Sequence, residues 1–191
     1  MKVENKKLTK IEKFNVRAYL LEGTAIHVKE GVIKANKYGS AIENAKKWAK
    51  EHSQIIIRPD IGIVIFNENG VKNSLSHKFG QRKLDAIQAI PTCIKTGKII
   101  DISDDLNGRP IKNIILTSAI KIGRNERSFL CVRLIKNIGD NNRLYIHEVF
   151  NVGDIKNRAI PFQTPGANNM VSPQRGIALY LNLLRDILFV N

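Results

Sequence analysis

The fold is decided by residues 98–150, which read KIIDISDDLNGRPIKNIILTSAIKIGRNERSFLCVRLIKNIGDNNRLYIHEVF. Four segments of this stretch, 98–103, 111–122, 129–135 and 144–150, are rich in β-branched residues, and the loops between them carry glycine, proline and asparagine. This composition is typical of strands joined by turns. We therefore predict an α+β fold in which a small antiparallel sheet packs on helices.

Helix and strand patterns precede this sheet. Ser40 can cap a helix that has Glu43 at the capping-box spacing and that runs to about His52. Residues 55–57 and 61–66 predict two buried strands, and the segment NENG at 67–70 predicts a turn into a strand-like segment at 71–77. From Gln81, apolar residues at three- and four-residue steps predict a second helix, which Gly97 ends.

The chain divides into three parts on this interpretation. Residues 1–38 are rich in lysine and predict a basic N-terminal arm of short strands or irregular structure. Residues 39–150 form the α+β core. Residues 151–191 predict a polar, proline-containing loop followed by an apolar C-terminal helix at 177–189 that docks on the core.

The composition indicates the kind of partner. The chain of 191 residues carries 31 lysines and arginines against 17 acids, a formal net charge of +14 and a pI near 9.9. Such an excess favours a polyanionic partner, because the cations release the counterions of its phosphates. A lysine-rich solvated surface, produced by an AT-rich genome, is the alternative.

Other features exclude several classes of protein. Cys93 and Cys131 lie far apart among apolar neighbours, which predicts small core residues in a reducing compartment. No apolar run reaches the roughly 20 residues that cross a bilayer, so we expect a soluble, cytoplasmic protein without a membrane partner. The sequence has no Walker loop, dinucleotide-binding glycine pattern or nucleophile elbow, and no cofactor is predicted.

His77 is the first candidate for acid–base chemistry. It is followed by Lys78, Arg82 and Lys83, so three cations lie close to it in sequence. Nearby positive charge disfavours the imidazolium and lowers the pKa of a histidine. We therefore expect a neutral ring able to act as a general base, with a polar turn histidine as the alternative.

His147 is the second candidate. In the alternating strand at 143–149, a period of two places Arg143, Tyr145 and His147 on one face. If the preceding strand pairs with this one, we expect Arg133 to lie near the same surface. The alternative is a sheet face that is merely solvated, as is common in antiparallel sheets.

These residue types match the needs of RNA cleavage without a metal. That reaction requires a base for the 2′-hydroxyl, an acid for the departing 5′-oxygen, and cations or hydroxyls for the charge on phosphorus. The candidate catalytic residues are His77, His147, Lys83 and Tyr145, and the candidate RNA-binding residues are Lys78, Arg82, Arg133 and Arg143. The acidic cluster Asp101, Asp104 and Asp105 lies alone in a predicted turn, where loop solvation or helix capping is favoured over a metal site.

Three segments carry a resemblance to a known family. The runs IVIFNENGVKNSLSH at 63–77, RKLDAIQAIPTCIKTGKII at 82–100 and RLYIHEV at 143–149 resemble domains of large polyvalent proteins of phages and mobile elements. Those domains are grouped with the barnase, EndoU, colicin and RelE-like nuclease fold. The resemblance implies an RNA-cleaving toxin or effector that acts without a metal, with tRNA or another structured RNA as substrate and an inhibitor or antitoxin protein as a candidate partner. In it, His77 with Lys78 and Lys83 correspond to the motif after the first hairpin, and Tyr145 with His147 to the motif on the late strand.

Two other functions fit the same sequence. A non-catalytic nucleic-acid-binding module of a phage or mobile element would use the same cations to hold the backbone without cutting it. The aromatic content of 6% is low for a platform on which single-stranded bases stack. An interaction protein with incidental charge would show an exposed apolar patch in place of a cleft.

Overall fold

The structure is a computed structural model that describes residues 4–34, 40–75, 79–105, 108–124, 126–137, 144–151, 155–156 and 173–189. In chain order, its elements are β1 (Lys6–Lys7), α1 (Lys10–Leu21), β2 (Ile26–Val28), α2 (Ala41–Glu51), β3 (Gln54–Arg58), β4 (Gly62–Phe66), α3 (Glu68–Ser74), α4 (Gln81–Ala86), a 3-10 turn (Ile87–Ala89), α5 (Ile90–Thr96), β5 (Lys98–Asp104), β6 (Ile111–Ile122), β7 (Ser128–Asn137), β8 (Leu144–Phe150) and α6 (Pro173–Leu188). The predicted α+β class is confirmed.

The main sheet is built around β6. Strands β5, β6, β7 and β8 pair antiparallel in this order, which confirms the predicted meander. Strand β1 pairs with the outer edge of β5, and β2 pairs parallel with the end of β6 at Ile120–Ile122, beyond the part that β5 covers. Strands β3 and β4 form a separate antiparallel hairpin, which confirms the two predicted strands. Their predicted burial is wrong for one face, because Ile56 and Val64 are buried while Ile57 and Ile63 are exposed.

Helices cover both faces of this sheet. The first core lies between one face and α2, α3, α4, α5 and the β3–β4 hairpin, and it contains Ala45, Phe66 and Ile90. The second core lies between the other face and helices α1 and α6, and it contains Leu20 and Leu184. Successive residues of β6 and β7 contribute alternately to the two cores, because neighbouring side chains of a strand point to opposite faces.

The N-terminal segment is an integral part of this architecture. The prediction of short strands or irregular structure at 1–38 is wrong for α1, a helix of 12 residues with Thr9 and Glu12 in a complete capping box. Val16 and Leu20 of α1 are buried in the second core, while Ile11 and Phe14 are exposed on the opposite side of the helix. The apolar residues on both sides hide the one-sided pattern by which an amphipathic helix is recognised.

Helix α3 replaces a predicted turn. The predicted turn at 67–70 and the predicted strand-like segment after it are wrong, because residues Glu68–Ser74 form a helix. The Asn67 side chain begins this helix by accepting hydrogen bonds from the backbone N–H groups of Asn69 and Gly70. Burial of Val71 in the first core stabilises that helix. An asparagine makes similar backbone contacts in a turn and at a helix N-terminus, so the local sequence does not separate the two.

The other predicted helices are confirmed. Helix α2 begins after Ser40, whose side chain accepts the backbone N–H of Glu43 at 3.2 Å. The predicted helix at 81–96 is interrupted by the 3-10 turn just before Pro91 and ends at Gly97. Helix α6 docks on the second core through Tyr180 and Leu184, as predicted for the C-terminal helix. In the part of the chain that the structure describes, no helix has the length and apolar character to cross a membrane.

Candidate nucleic-acid interface

Several predicted site residues cannot be placed. His77, Lys78 and Arg143 lie outside the described residues. Tyr145 and His147 have described backbone positions in β8, but their side chains lie outside the description. The roles predicted for these five residues therefore stay predictions.

The register between β7 and β8 corrects the position of Arg133. His147 pairs with Val132 and Tyr145 pairs with Leu134, and both of these partners are buried in the first core. Arg133 occupies the position between them, on the face of β7 that belongs to the second core. The expectation that Arg133 shares a surface with the His147 position is therefore wrong, because one residue along a strand changes the face.

Arg133 connects the sheet to the C-terminal helix. Its Nε and Nη2 atoms donate to Asn113 Oδ1 at 3.0 and 2.5 Å, and it hydrogen-bonds to Tyr180 of α6. Burial raises the pKa of the Tyr180 hydroxyl. These contacts give Arg133 a structural role in the second core, in addition to the RNA contact predicted for it.

Lys83 is buried in an ion pair. Its Nζ lies 2.7 Å from Glu148 Oε1, and the side chains are only 9% and 19% exposed. The pair joins α4 to β8, the last strand in the order of the main sheet. In this pair the ammonium group of Lys83 neutralises the Glu148 carboxylate. The catalytic role of Lys83 stays a prediction.

Arg82 lines a cleft, where two side chains hold it. Its Nη2 atom donates to Ser128 Oγ and to Asn151 Oδ1, so β7 and the end of β8 fix the guanidinium. The cleft has a volume of about 370 Å³. Its lining residues are Glu30, Gln81, Arg82, Asp85, Ile122, Glu126 and Asn151.

Three carboxylates give this cleft an acidic wall in a basic protein. Asp85 is only 2% exposed, and its Oδ1 accepts hydrogen bonds from Gly31 N at 2.9 Å and from Gln81 Nε2 at 3.0 Å. Burial raises the pKa of the Asp85 carboxyl, and the charge of Glu30 raises it further. Glu30 and Glu126 are exposed.

A glycine leaves the space that Glu30 occupies. Gly123 has a φ of +60°, and a Cβ atom on it would lie 2.8 Å from Glu30 Oε2. Its N–H donates to Val28 O at 2.8 Å, which holds the end of β6 against the end of β2. The shape of the cleft therefore depends on the absence of a side chain at this position.

Sequence reasoning missed the cleft, although it selected Arg82. The lining residues come from four segments that are far apart in the chain, and each acid taken alone is typical of a solvated loop or helix. No local motif links Glu30 to Asp85 or Glu126. The position of Gly123 directly after a buried strand was the one available signal, and it indicates only a turn.

The acidic cluster near β5 forms separate local contacts. Asp101 lies within β5 and accepts a hydrogen bond from Ser103, so the turn predicted for it is wrong. Asp104 pairs with Lys112, and Asp105 pairs with Arg109. Within the described ranges, no three His, Cys, Asp or Glu side chains form a group that could hold a metal ion.

Both cysteines are free thiols in the core, as predicted. Burial raises the pKa of Cys93 to about 12, and it also raises the pKa of Cys131. Both groups therefore remain protonated and poorly nucleophilic near neutral pH.

The β3–β4 hairpin also presents an apolar surface. Ile55, Ile57 and Ile63 are 67%, 75% and 44% exposed, and Ile57 and Ile63 form a cross-strand pair. The interaction-protein hypothesis predicted a patch in place of a cleft. The described residues contain both an exposed apolar patch and a cleft.

Comparison with known proteins identifies a class of domain associated with large polyvalent proteins. Residues 36–145, more than half of the chain, match the family model of large polyvalent protein-associated domain 3. The chain belongs to this family, which confirms the predicted kinship with polyvalent-protein domains. No curated protein and no solved structure matches it. Assignment to the barnase, EndoU and RelE-like fold stays a prediction.

Proposed function

We propose that this chain is an RNA-binding domain that holds the phosphate backbone through its surplus of lysine and arginine. The observation that carries the proposal is the net charge of +14. Each ion pair cancels one cation against one acid, so no arrangement of pairs removes this excess. Binding to a polyanion relieves the resulting repulsion and releases counterions from the RNA.

Exposed cations on neighbouring elements support this proposal. Helices α2 and α3 pack against each other and present Lys47, Lys50 and Lys72 to solvent. On the other side of the sheet, Lys10 is exposed on α1. A flexible lysine suits contact with phosphates because its ammonium group is a compact point charge.

Salt dependence tests the proposal. We expect the purified chain to bind a fluorescent RNA of about 20 nucleotides, with log K falling linearly against log salt by about 0.7 for each phosphate contacted. Replacement of Lys47, Lys50 and Lys72 by glutamine should weaken binding and make the slope shallower. Replacement of the same residues by arginine is the control and should preserve both. Absence of binding at about 50 mM salt would contradict the proposal.

RNA cleavage is a second candidate function, favoured by the short separation in sequence between each histidine and a residue that lines the cleft. His77 lies four residues before Gln81 in the sequence, and His147 lies four residues before Asn151. Gln81 and Asn151 both line the cleft, although they belong to different parts of the fold. The resemblance to metal-independent nucleases agrees with this candidate.

The proposed chemistry uses the two histidines as a base and an acid. One imidazole removes the proton of the 2′-hydroxyl while the 2′-oxygen attacks phosphorus. The bond between phosphorus and the 5′-oxygen breaks, and the other imidazole protonates the departing oxygen. The products are a 2′,3′-cyclic phosphate and a 5′-hydroxyl, and cations near phosphorus stabilise its developing negative charge.

Analysis of fragment ends tests cleavage separately from binding. We expect the wild-type chain, in excess EDTA, to cut tRNA or a synthetic RNA and leave 2′,3′-cyclic phosphate ends. His77→Ala and His147→Ala should each abolish cleavage, while His27→Ala, which changes an exposed residue of β2, is the control. Intact RNA that still binds the wild-type chain would refute cleavage of these substrates and leave the binding proposal in place.

A further inference from the structure

We propose that the cleft at Arg82 receives a guanine base of the bound RNA. The inference rests on the proposed RNA binding and adds a base preference to it. It depends on the chemistry of the cleft wall, which combines the Arg82 guanidinium, the apolar side chain of Ile122 and three carboxylates.

The carboxylates determine which part of RNA enters. Glu30, Asp85 and Glu126 line a cleft that contains one arginine, so the wall carries more negative than positive charge when these groups are ionised. A phosphate is repelled by such a wall. A base is uncharged and carries hydrogen-bond donors, so the cleft suits a base, while cations elsewhere on the surface hold the backbone.

The donors and acceptors of the wall select guanine. A carboxylate accepts hydrogen bonds at two oxygens, and guanine presents two adjacent donors on its Watson–Crick edge, N1–H and the N2 amino group. None of the other bases has two adjacent donors on this edge: adenine and cytosine each present one amino group beside a ring acceptor, and uracil presents N3–H between two carbonyl acceptors. Sequence-specific recognition of RNA commonly uses the Watson–Crick edges of such unstacked bases.

Arg82 supplies the complementary contact. Its hydrogen bonds to Ser128 and Asn151 both use Nη2, whereas a guanidinium carries five N–H donors on three nitrogens. Guanine O6 and N7 are adjacent acceptors on its Hoogsteen edge, and arginine is their commonest specific partner in protein–DNA complexes. A guanidinium fixed by β7 and β8 loses little freedom when it makes this contact.

The size of the cleft agrees with one base. Its volume of about 370 Å³ lies near the lower end of the range for small-molecule sites, about 300–1,000 Å³. Ile122 adds an apolar side chain to a lining that is otherwise polar. A longer stretch of RNA would have to lie outside, on the cationic surface.

Binding of matched oligonucleotides tests the inference. The probes are short oligouridylates with guanosine, adenosine, cytidine, inosine or uridine at the centre, and the central nucleotide carries a 2′-methoxy group that prevents cleavage there. Fluorescence anisotropy with the full chain should show about tenfold tighter binding of the guanosine probe than of the uridine probe. Inosine lacks the N2 amino group and should bind with intermediate affinity.

Two charge-matched variants identify the residues responsible. E30Q/E126Q should reduce the preference for guanosine to less than about twofold, while the affinity for the uridine probe stays unchanged or increases. E4Q/E51Q changes the net charge equally at exposed residues that do not line the cleft, and it should keep the preference. Circular dichroism checks that both variants fold.

The possible failures are distinguishable. Equal affinity of the wild-type chain for all five probes would overturn the guanine inference and leave RNA binding intact. A guanosine preference that survives in E30Q/E126Q would overturn the assignment of the carboxylates. Absence of binding to every probe at low salt would overturn the proposed function itself.

Discussion

Lys83 Nζ lies 2.7 Å from Glu148 Oε1, and this ion pair joins β8 to α4, the helix that carries Arg82 and Asp85 of the cleft. Both side chains are largely removed from water. Removing one partner leaves an uncompensated charge in that environment, whereas replacing both by apolar residues removes two desolvation costs together with the attraction. Breaking this pair should therefore cost more stability than replacing both of its members.

We predict that Lys83→Met lowers the free energy of unfolding by about 3 kcal/mol, because Glu148 is left without its partner. Glu148→Met should have an effect of similar size. The double variant should recover most of this loss. Urea denaturation measures all three, and a double variant as unstable as the sum of the single ones would contradict the argument.

Gly123 provides a test of how the cleft is shaped. Gly123→Ala should lower the free energy of unfolding by about 1 kcal/mol, because φ at this position is +60° and a left-handed backbone disfavours any side chain. It should also displace Glu30 and weaken the preference for guanosine. Gly108→Ala is the matched control, since Gly108 has a φ of +70° but open space around a Cβ. Equal guanosine preference in both variants would refute the role of Gly123.

Asp85 should make stability depend on pH. Burial raises the pKa of this carboxyl in the folded chain, so between its ordinary value, about 3.9, and the raised value the folded state binds more protons than the unfolded state. The stabilising contribution is complete below the ordinary pKa and is lost as pH rises through the folded pKa. Asp85→Asn keeps an oxygen that can accept from Gly31 and Gln81, but it does not titrate.

The difference in free energy of unfolding, wild type minus Asp85→Asn, should therefore fall as the pH rises from about 4 to 7. Urea denaturation across this range measures it. The decrease should be smaller in the background of Glu30→Gln, because the charge of Glu30 contributes to the raised pKa. A difference that stays constant with pH would show that the folded environment of Asp85 does not disfavour its ionised form.

Local signals explain what the sequence predicted correctly. Helix α2 has a Ser40 cap and an apolar side with Ala45 and Ala49, and each of these features lies within a few residues of the others. The strands of the meander have β-branched composition and separating turns. Such elements are specified by neighbours in the chain, so their prediction does not require knowledge of the packing.

The missed features depend on contacts between distant segments. Helix α1 has apolar residues on two sides, and only its packing on β6 and α6 shows which side is buried. The register between β7 and β8 decides whether Arg133 lies on the same face of the sheet as the His147 position. A register shifted by one residue would reverse the outcome. The cleft brings Glu30 to Asp85 and Glu126 through the pairing of β2 with β6, which no local pattern indicates.

The N-terminal helix gives the sharpest test of whether the chain folds as one unit, since α1 lies outside the residues that match the family model. Leu20 is fully buried in the second core, and the adjacent Leu21 is 39% exposed. Leu20→Ala should lower the free energy of unfolding by about 3 kcal/mol because it leaves a cavity, whereas Leu21→Ala should lower it by less than about 1 kcal/mol.

Trp48 fluorescence is the measurement for this test. The chain contains one tryptophan, and Trp48 packs against the first core, on the other side of the sheet from Leu20. If both cores unfold together, Leu20→Ala must shift the denaturation midpoint that Trp48 reports, although the two residues belong to different cores. An unchanged Trp48 midpoint in Leu20→Ala would mean that α1 unfolds independently, as a separate arm would. A shift equal to that seen by circular dichroism would establish that residues outside the family match are needed for the stability of the matched core.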